Sequence, residues 1–449
     1  MASQQATLSP RASAAPKVKV APRRMAPVPP MGWNSFVSFG DSVTEEEVLA
    51  NAQYMKDNLA KYGWKYVVVD YRWYDAGAKG NTAVGRAGAK LSADWYGRLT
   101  PAVQRFPSAK NNAGFKPLAD KIHGMGLKFG IHIMRGIPRQ AVKANHPIES
   151  SSYSAVNAAD TSSTCSWCPD MYGVKANTSA AQAWYDSLFR QYAAWGVDFV
   201  KVDDLSKPYS GADISAIRRA IDKCGRPMVF SVSPGPTPVR HTRQLQNTVD
   251  MWRISGDFWD KWNKLSSQFD LMARWQGRGG GGHWPDPDFL PLGIIGHRAS
   301  SGKKSWSTHL TKNEQVTMMS FWAIAPGPLF LGSNLPENDD WTLSLMTNKE
   351  VLDVNQDVGA RQAKRAMYSK AKGHEAWVKP LADGTKALAI FNRSNQDGPV
   401  SVSLDDCGLP GKYQARNLWQ HTDLGTMEDT ISPTIPKHGS LLLQLTPMN

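Results

Sequence analysis

The chain has 449 residues, 41% of them hydrophobic and 20% charged, with 37 glycines, 29 prolines and 17 tryptophans. That length accommodates two or three domains of about 150 residues, or one large α/β barrel with an appendage. A core of this size folds without a disulfide or metal staple, and no run reaches the roughly 18 to 20 apolar residues of a membrane span. The 52 basic against 39 acidic residues give a net charge of +13. Residues 1–40 hold Arg11, Lys17, Lys19, Arg23 and Arg24 and no acid, and the rest of the excess is dispersed without a Lys/Arg block. A basic surface is expected from this, not a nucleic-acid partner.

Residues 1–29 are rich in Ala, Pro and Ser without periodicity and are expected to be flexible. They contain no apolar signal core. The segment fits a spacer left after signal removal, which would place the protein outside the cell or in the periplasm. It fits an organelle-transit segment less well, and the compartment stays open. Residues 30–358 alternate strand-like and helical runs. KYVVVD (65–70), LKFGIHI (127–133), VDFVKVDD (197–204), RPMVFSVSP (226–234) and VDMWRIS (249–255) are strand candidates. A helix is predicted over 44–63, opened by a capping box at Thr44/Glu47 and closed by Gly63, and another over 181–196 closed by Gly196. Repeated βα units of this length predict a (β/α)8 TIM barrel. The absence of G-x-G-x-x-G after the first strand weakens a doubly wound alternative. From residue 359 to 449 the pattern changes to short alternating runs between DG and PG turns, which predicts an antiparallel β-sandwich.

Four cysteines are too few for a disulfide scaffold. Cys165 and Cys168 form a C-x-x-C, but no second pair or spaced histidines follow to complete a zinc site, and a redox context is lacking. A local disulfide or two inert thiols is the expectation.

Barrel enzymes work at the C-terminal ends of their strands. Those ends supply Asp70, His132, Lys201 with Asp203 and Asp204, Ser231 to Pro234, and Arg253 with Asp257. Any one strand-end aspartate is commonly a helix cap or a loop hydrogen-bond acceptor. The whole set converging on one mouth is harder to explain that way. Trp33, Trp73, Trp167, Trp252, Trp259 and Trp284 fall near the same positions. Paired carboxylates with aromatic walls are what cleavage of a sugar linkage requires, since the rings stack on a sugar face while the acids take its hydroxyls.

The residues carry a family resemblance at this point. PPMGWNSF (29–36), YVVVDYRW (66–73), GLKFGIH (126–132), GVDFVKVDD (196–204), WRISGD (252–257), WPDPDFL (284–290), PGPLFLG (326–332) and NKEVLDVNQD (348–357) stand in the family order of glycoside hydrolase family 27. The chain resembles the α-galactosidases of that family over roughly residues 29–449, and is similar to a divergent branch with β-L-arabinopyranosidase-like members. The resemblance implies a retaining exo-glycosidase for terminal α-D-galactosyl residues, needing no metal or organic cofactor. Its partner would be an oligosaccharide or polysaccharide, and the oligomeric state is not implied. Related activities on β-L-arabinopyranosides, α-N-acetylgalactosaminides or α-glucans are alternatives, as is a sugar-binding protein that has lost catalysis.

Asp203 matches the family nucleophile and Asp257 the acid/base, with Asp204 as a rival on the opposite strand side. Retention requires the two carboxyls to face each other at about 5 to 5.5 Å. Lys201, on the same strand face as Asp203, would hold that carboxylate ionised and bind a sugar hydroxyl. Asp257 is expected to have a raised pKa from burial against aromatics such as Trp252. Arg253 is a candidate hydroxyl ligand, Trp33 matches the aromatic floor, Asp70 a sugar-binding aspartate, and Asp288 a carboxylate near the sugar; Asp286 would orient its loop. The departures concern specificity. Galactose-specific members have a second aspartate where this chain has Tyr71, whose ring would crowd an exocyclic CH2OH and favour a pentopyranose. Ser233-Pro234-Gly235 replaces a C-E-W segment and its usual O2 contact, and Leu205 replaces a cysteine. Trp167 or Tyr172 could rebuild lost contacts.

Overall fold

The computed structural model describes residues 25–82, 84–299 and 304–448. Eight short strands form one parallel sheet: β1 (Met31–Asn34), β2 (Tyr66–Val69), β3 (Lys128–Met134), β4 (Phe199–Asp203), β5 (Val229–Val232), β6 (Met251–Arg253), β7 (Trp284–Asp286) and β8 (Leu329–Leu331). They lie in the order β7-β6-β5-β4-β3-β2-β1-β8. Leu290, just past β7, bridges Leu331 in parallel. Its N–H donates to the Phe330 carbonyl at 2.8 Å and its carbonyl accepts from Gly332 at 3.1 Å. That bridge closes the ring into the expected barrel.

The helices between the strands form the outer layer, starting with α1 (Glu45–Tyr54), α2 (Lys116–Gly124) and α3 (Ser179–Trp195). They continue with α4 (Gly211–Lys223), α5 (Thr242–Thr248), α6 (Trp262–Arg274) and α7 (Lys312–Ile324). The Thr44/Glu47 capping box is present on α1. The helix then relaxes into π and 3-10 turns before Gly63 stops it at φ +99°. Gly196 ends α3 with φ +83°. None of the helices among the described residues is long and apolar enough to cross a membrane.

Side chains alternate along a strand, so every second residue points into the barrel. Tyr66, Val68, Phe199, Val229, Met251, Trp284 and Phe330 belong to one buried cluster that plugs its lower part. Continuing each strand by two residues changes the chemistry: Val68 gives way to Asp70, Phe199 to Lys201 and Asp203, Val229 to Ser231 and Ser233, Met251 to Arg253, and Trp284 to Asp286. The barrel is an apolar plug capped by a charged layer. Gly32 permits this filling, because a Cβ there would lie 2.3 Å from the Tyr66 carbonyl oxygen.

Part of the N-terminal expectation needs correction. Residues 1–24 lie outside the described residues, but the end of the 1–29 segment is packed. Ala26 is buried, and its carbonyl accepts the Trp284 indole N–H at 2.8 Å. Gln356 donates to the Pro29 carbonyl at 2.8 Å. A buried indole N–H needs an acceptor, and this stretch supplies it.

The C-terminal antiparallel sheet comprises β9 (Lys364–Ser369), β10 (His374–Pro380), β11 (Lys386–Asn392), β12 (Tyr413–Asn417), β13 (Thr422–Met427) and β14 (Ser440–Pro447). Their order is β9-β10-β11-β14-β12-β13. Two short ladders, Gly398–Pro399 with Thr434–Ile435 and Val402–Ser403 with Thr430–Ile431, make the second layer. Ala376, Leu388, Ile390, Leu443 and Leu445 meet Val400, Val402 and Leu404 between the layers. Strands β9 and β13 were not among the sequence candidates, since their faces are largely exposed and carry little apolar alternation.

The sandwich docks on the barrel through α6 and α7. Phe321 stacks on Phe269 at 4.0 Å and meets Trp377 and Phe391 edge-on at 5.4 and 5.9 Å. The fully buried Glu375 accepts from the Trp377 indole at 2.8 Å and pairs with Arg393 at 2.5 Å. All four cysteines are free, so Cys165 and Cys168 are separate thiols, and burial raises Cys165 to about 11. Replacing Phe321 with Ala is expected to destabilise the protein by about 3–5 kcal/mol, because a fully buried ring leaves a cavity. Urea unfolding measures this, and a loss below about 1 kcal/mol would mean the docking does not rest on this packing.

Candidate active site

A cavity of about 520 Å³ opens at the C-terminal ends of the barrel strands. Asp70, Tyr71, Lys201, Asp203 and Asp257 line it with Phe36, Asn81, Val84, Trp167, Pro234, Trp259 and Phe289. Six of the nine sequence-derived site positions, Trp167 among them, line it.

Asp203 ends β4 with its side chain turned into the barrel. His132 of β3, which lies opposite Lys201 in register, brings its Nε2 to 2.8 Å from Oδ2. The Ser233 hydroxyl donates to Oδ1. Burial would raise this carboxyl, but the Lys201 ammonium and the His132 and Ser233 hydrogen bonds outweigh it and hold the group well below its ordinary range. Asp203 therefore stays an anion, with its carboxylate fixed on both oxygens.

Lys201 makes its own hydrogen bond to Asp70, at 3.1 Å from Oδ2. The same oxygen accepts from Asn34 at 2.8 Å, and Oδ1 accepts from the Tyr71 N–H at 2.9 Å. Burial opposes the ionised form of Asp70 as well, and Lys201 and His132 reverse the balance. Lys201 thus acts on Asp203 through charge rather than through a hydrogen bond. Its ammonium also lies 4.9 Å from the centre of the Phe289 ring.

The neighbouring Asp204 takes no part in the cavity. It turns outward through a left-handed φ of +64° and pairs with Arg135 at 2.8 Å. Of the two adjacent aspartates, Asp203 lines the cavity and Asp204 does not.

Asp257 departs from expectation. Its side chain is 57% exposed, and Trp252 is fully buried against Trp275 rather than against it. The reason is position: Asp257 sits four residues past the strand residue Arg253, beyond a Ser-Gly pair, where the barrel wall has ended. Arg253 is buried behind it, in a small adjoining hollow that shares Lys201 and Phe289 with the cavity. Its guanidinium pairs with Asp288 at 2.7 Å and with Asp257 at 3.3 Å. Asp288 is likewise buried outside the cavity lining, and burial lifts its carboxyl to about 7 against the pull of Arg253. Asp286 orients the loop by accepting the Asp288 N–H at 2.8 Å.

The aromatic floor is also reassigned. Trp33 is fully buried, with its indole N–H on the Ser333 carbonyl at 2.7 Å, and Trp73, Trp252 and Trp284 are equally buried. These rings fill the barrel and its helix layer. Of the six tryptophans grouped from the sequence, Trp167 and Trp259 reach the cavity. Phe36, Phe289, Asn81 and Val84 were not anticipated: Phe36 and Val84 open single helical turns and Asn81 and Phe289 lie on loops, all too short for a periodic signal. Tyr172 stays outside, covered by Arg139.

Tyr71 is 4% exposed and forms one wall of the cavity. Its hydroxyl donates to Asn81 Oδ1 at 2.9 Å. Its ring is held edge-on by His132 at 5.8 Å and Trp167 at 6.3 Å, and by Phe36 at 5.8 Å. Immediately beyond it, the buried Arg72 pairs with Asp75 at 3.0 Å and Asp170 at 2.9 Å. The ring is thus held at its hydroxyl and by three neighbouring rings, and it faces the cavity with what remains.

Residues 172–357 match the family described as α-galactosidase A, and residues 371–445 match the α-galactosidase C-terminal β-sandwich domain. The structure is similar to that of a β-L-arabinopyranosidase from Geobacillus stearothermophilus, with a TM-score of 0.91 and 49% identity, covering 94% of this chain and 97% of that one. A form of that enzyme in complex with arabinose is similar at TM-score 0.91 and 48% identity, covering 95% and 98%. Among curated sequences, the α-galactosidase of Cyamopsis tetragonoloba is 29% identical over 429 residues, covering 93% of this chain and 86% of its own length. With the closed barrel, the sandwich and the strand-end carboxylates in place, this chain is a glycoside hydrolase and belongs to family 27, the family of the α-galactosidases.

Proposed function

We propose that the chain is a retaining exo-glycosidase whose preferred substrate is a terminal β-L-arabinopyranosyl residue. The carrying observation is Tyr71, an immobilised ring in the cavity wall next to Asp70. β-L-Arabinopyranose and α-D-galactopyranose share their ring stereochemistry, and the first lacks the exocyclic CH2OH. A site that fills the corner beside Asp70 with an aromatic ring favours the sugar without that group. The similarity to the Geobacillus arabinopyranosidase supports the same reading. The α-D-galactosidase reading has its own support in the curated relatives, which are α-galactosidases at 25–29% identity.

In this mechanism Asp203 attacks the anomeric carbon as the glycosidic C–O bond breaks, and Asp257 gives its proton to the departing oxygen. The result is a glycosyl ester on Asp203 and an ionised Asp257. Water then attacks the same carbon, loses its proton to Asp257, and frees Asp203. The hydrogen bonds of His132 and Ser233 suit Asp203 to the first step, because they favour an anion aimed in one direction. Asp70 and Lys201 offer an acceptor and a donor to the ring hydroxyls. Trp167 and Trp259 offer apolar faces at the cavity rim.

On matched aryl glycosides, kcat/KM for the β-L-arabinopyranoside is expected to exceed that for the α-D-galactopyranoside by about tenfold or more. A dominant galactoside rate would replace this reading with the α-galactosidase one. Tyr71→Asp should shift the ratio of the two towards galactoside, and an unchanged ratio would remove crowding as the cause. Asp203→Asn should lower turnover by about 10⁴-fold or more with the circular dichroism spectrum retained. Activity within tenfold of the parent would rule out Asp203 as the nucleophile.

A further inference from the structure

Among the described residues, the groove between Trp341 and Trp419, the acidic hollow around Asp353 and Asp383, and the paired thiols beside Trp167 have no second feature pointing to a ligand. The Arg253 guanidinium is different. It is a buried cation with two carboxylate partners on either side of the cavity wall, and the two distances are unequal. Asp288 stands at 2.7 Å and Asp257 at 3.3 Å. The remaining contact of the same nitrogen is the Ser255 carbonyl at 3.4 Å, and Arg253 Nε has no partner.

Asp288 is placed for more than charge. Its second interaction is with the backbone N–H of Phe258, accepted at 2.7 Å, and Phe258 directly follows Asp257. Its own backbone takes a left-handed φ of +86°, which is uncommon for a residue other than glycine. That conformation is secured on both sides: the Asp288 N–H donates to Asp286 at 2.8 Å, and its carbonyl accepts the Trp322 indole at 3.2 Å. Backbone held in a sparsely populated region by surrounding bonds is a feature of functional sites.

We propose that Asp288 is the positioning residue for Asp257: it engages Arg253 so that Asp257 can carry a proton, and it fixes the loop on which Asp257 sits. This rests on the reading of Asp257 as the acid/base. An acid/base must be protonated before the first step, and a full guanidinium charge beside it would favour its anion instead. Asp288 neutralises that charge from the protein side. Asp288 is itself buried, and its partner for the ionised form is the Arg253 guanidinium at 2.7 Å. The charged groups facing Asp257 are then Arg253 from β6, Asp288 from the loop after β7, and Lys201, Asp203 and Asp70 across the cavity. Of these, Arg253 and Asp288 are the pair whose balance a single substitution changes.

The test is the pH dependence of kcat/KM on two aryl glycosides of whichever sugar is turned over, one phenyl and one 2,4-dinitrophenyl. The phenyl leaving group needs a proton and the dinitrophenyl group does not. Asp288→Asn retains an acceptor for the Phe258 N–H and removes the charge. It should move the basic limb down by about one pH unit and cost the phenyl substrate about tenfold, with the dinitrophenyl rate reduced less than about threefold. Arg253→Gln should move the same limb upward, and it serves as the reporter if Asp288→Asn folds poorly. An unmoved limb in the folded variant, or equal losses on both leaving groups, would overturn the proposal. Asp257→Ala separates this from the underlying reading: equal losses on both substrates there would mean that Asp257 is not the acid/base at all.

Discussion

The Lys201 ammonium is the charge on which the mouth of this barrel depends. It enters the interior from β4 above an apolar plug, within hydrogen-bond distance of Asp70 and close enough to Asp203 to govern its ionisation. Asp70 is buried and Asp203 largely so, and desolvation alone would drive each towards its neutral acid. Neutral acids at these positions would neither attack a carbon nor accept a sugar hydroxyl strongly. One cation between two anions keeps both ionised and fixes their relative placement. The rest of the cavity is built around that triplet: His132 and Asn34 satisfy the outer oxygens, and Phe36 and Phe289 supply the apolar surround.

The barrel was legible in the sequence because its signals are local. Glycine stops, capping boxes and β-branched runs ending in carboxylates each have a mechanism that acts within a few residues, and the positions of α1 and α3 follow from them. The inward set was legible for the same reason. Phe199, Lys201 and Asp203 share a face by strand periodicity, which also sends Asp204 to the other side. What could not be read was depth. A tryptophan near a strand end has the same sequence signature whether it fills the barrel, as Trp284 does, packs outside the strands, as Trp33 does, or meets solvent, as Trp167 does. Depth depends on how eight strands stagger around the ring, and that is a non-local property.

Asp257 illustrates the converse error. Its sequence setting, a few residues past an apolar strand with Trp252 nearby, suggested burial. The strand in fact ends at Arg253, and the Ser-Gly step lifts Asp257 clear of the wall. Its charged neighbour is Arg253, which also pairs with Asp288, and no spacing rule signals that partner because Asp288 comes from the next strand's loop, 31 residues later in the chain. Loop partners such as Asn81 and Phe289 escaped for the same reason: they converge through the ring, not along the chain.

The unequal burial of Asp203 and Asp257 carries a direction. Asp203 lies at the closed end, anchored by bonds on both oxygens, and Asp257 lies at the open end, more than half exposed. In the proposed displacement, the group at the closed end must stay on the sugar carbon, and the group at the open end must serve first a departing alcohol and then an arriving water. A leaving group of any size can exit only towards solvent, so an exposed proton carrier suits a substrate whose sugar is terminal and whose remaining part extends outward. The closed end, bounded by Asp70 and the immobilised Tyr71, then reads the ring alone. Discrimination at that end rests on whether one exocyclic carbon fits, a difference of about 1–3 kcal/mol when it is a matter of apolar contact and more when a fixed ring must be displaced. In the proposed specificity, the contacts that hold Tyr71, to Asn81 at its hydroxyl and to its aromatic neighbours at its edge, turn a mild preference into a steric one.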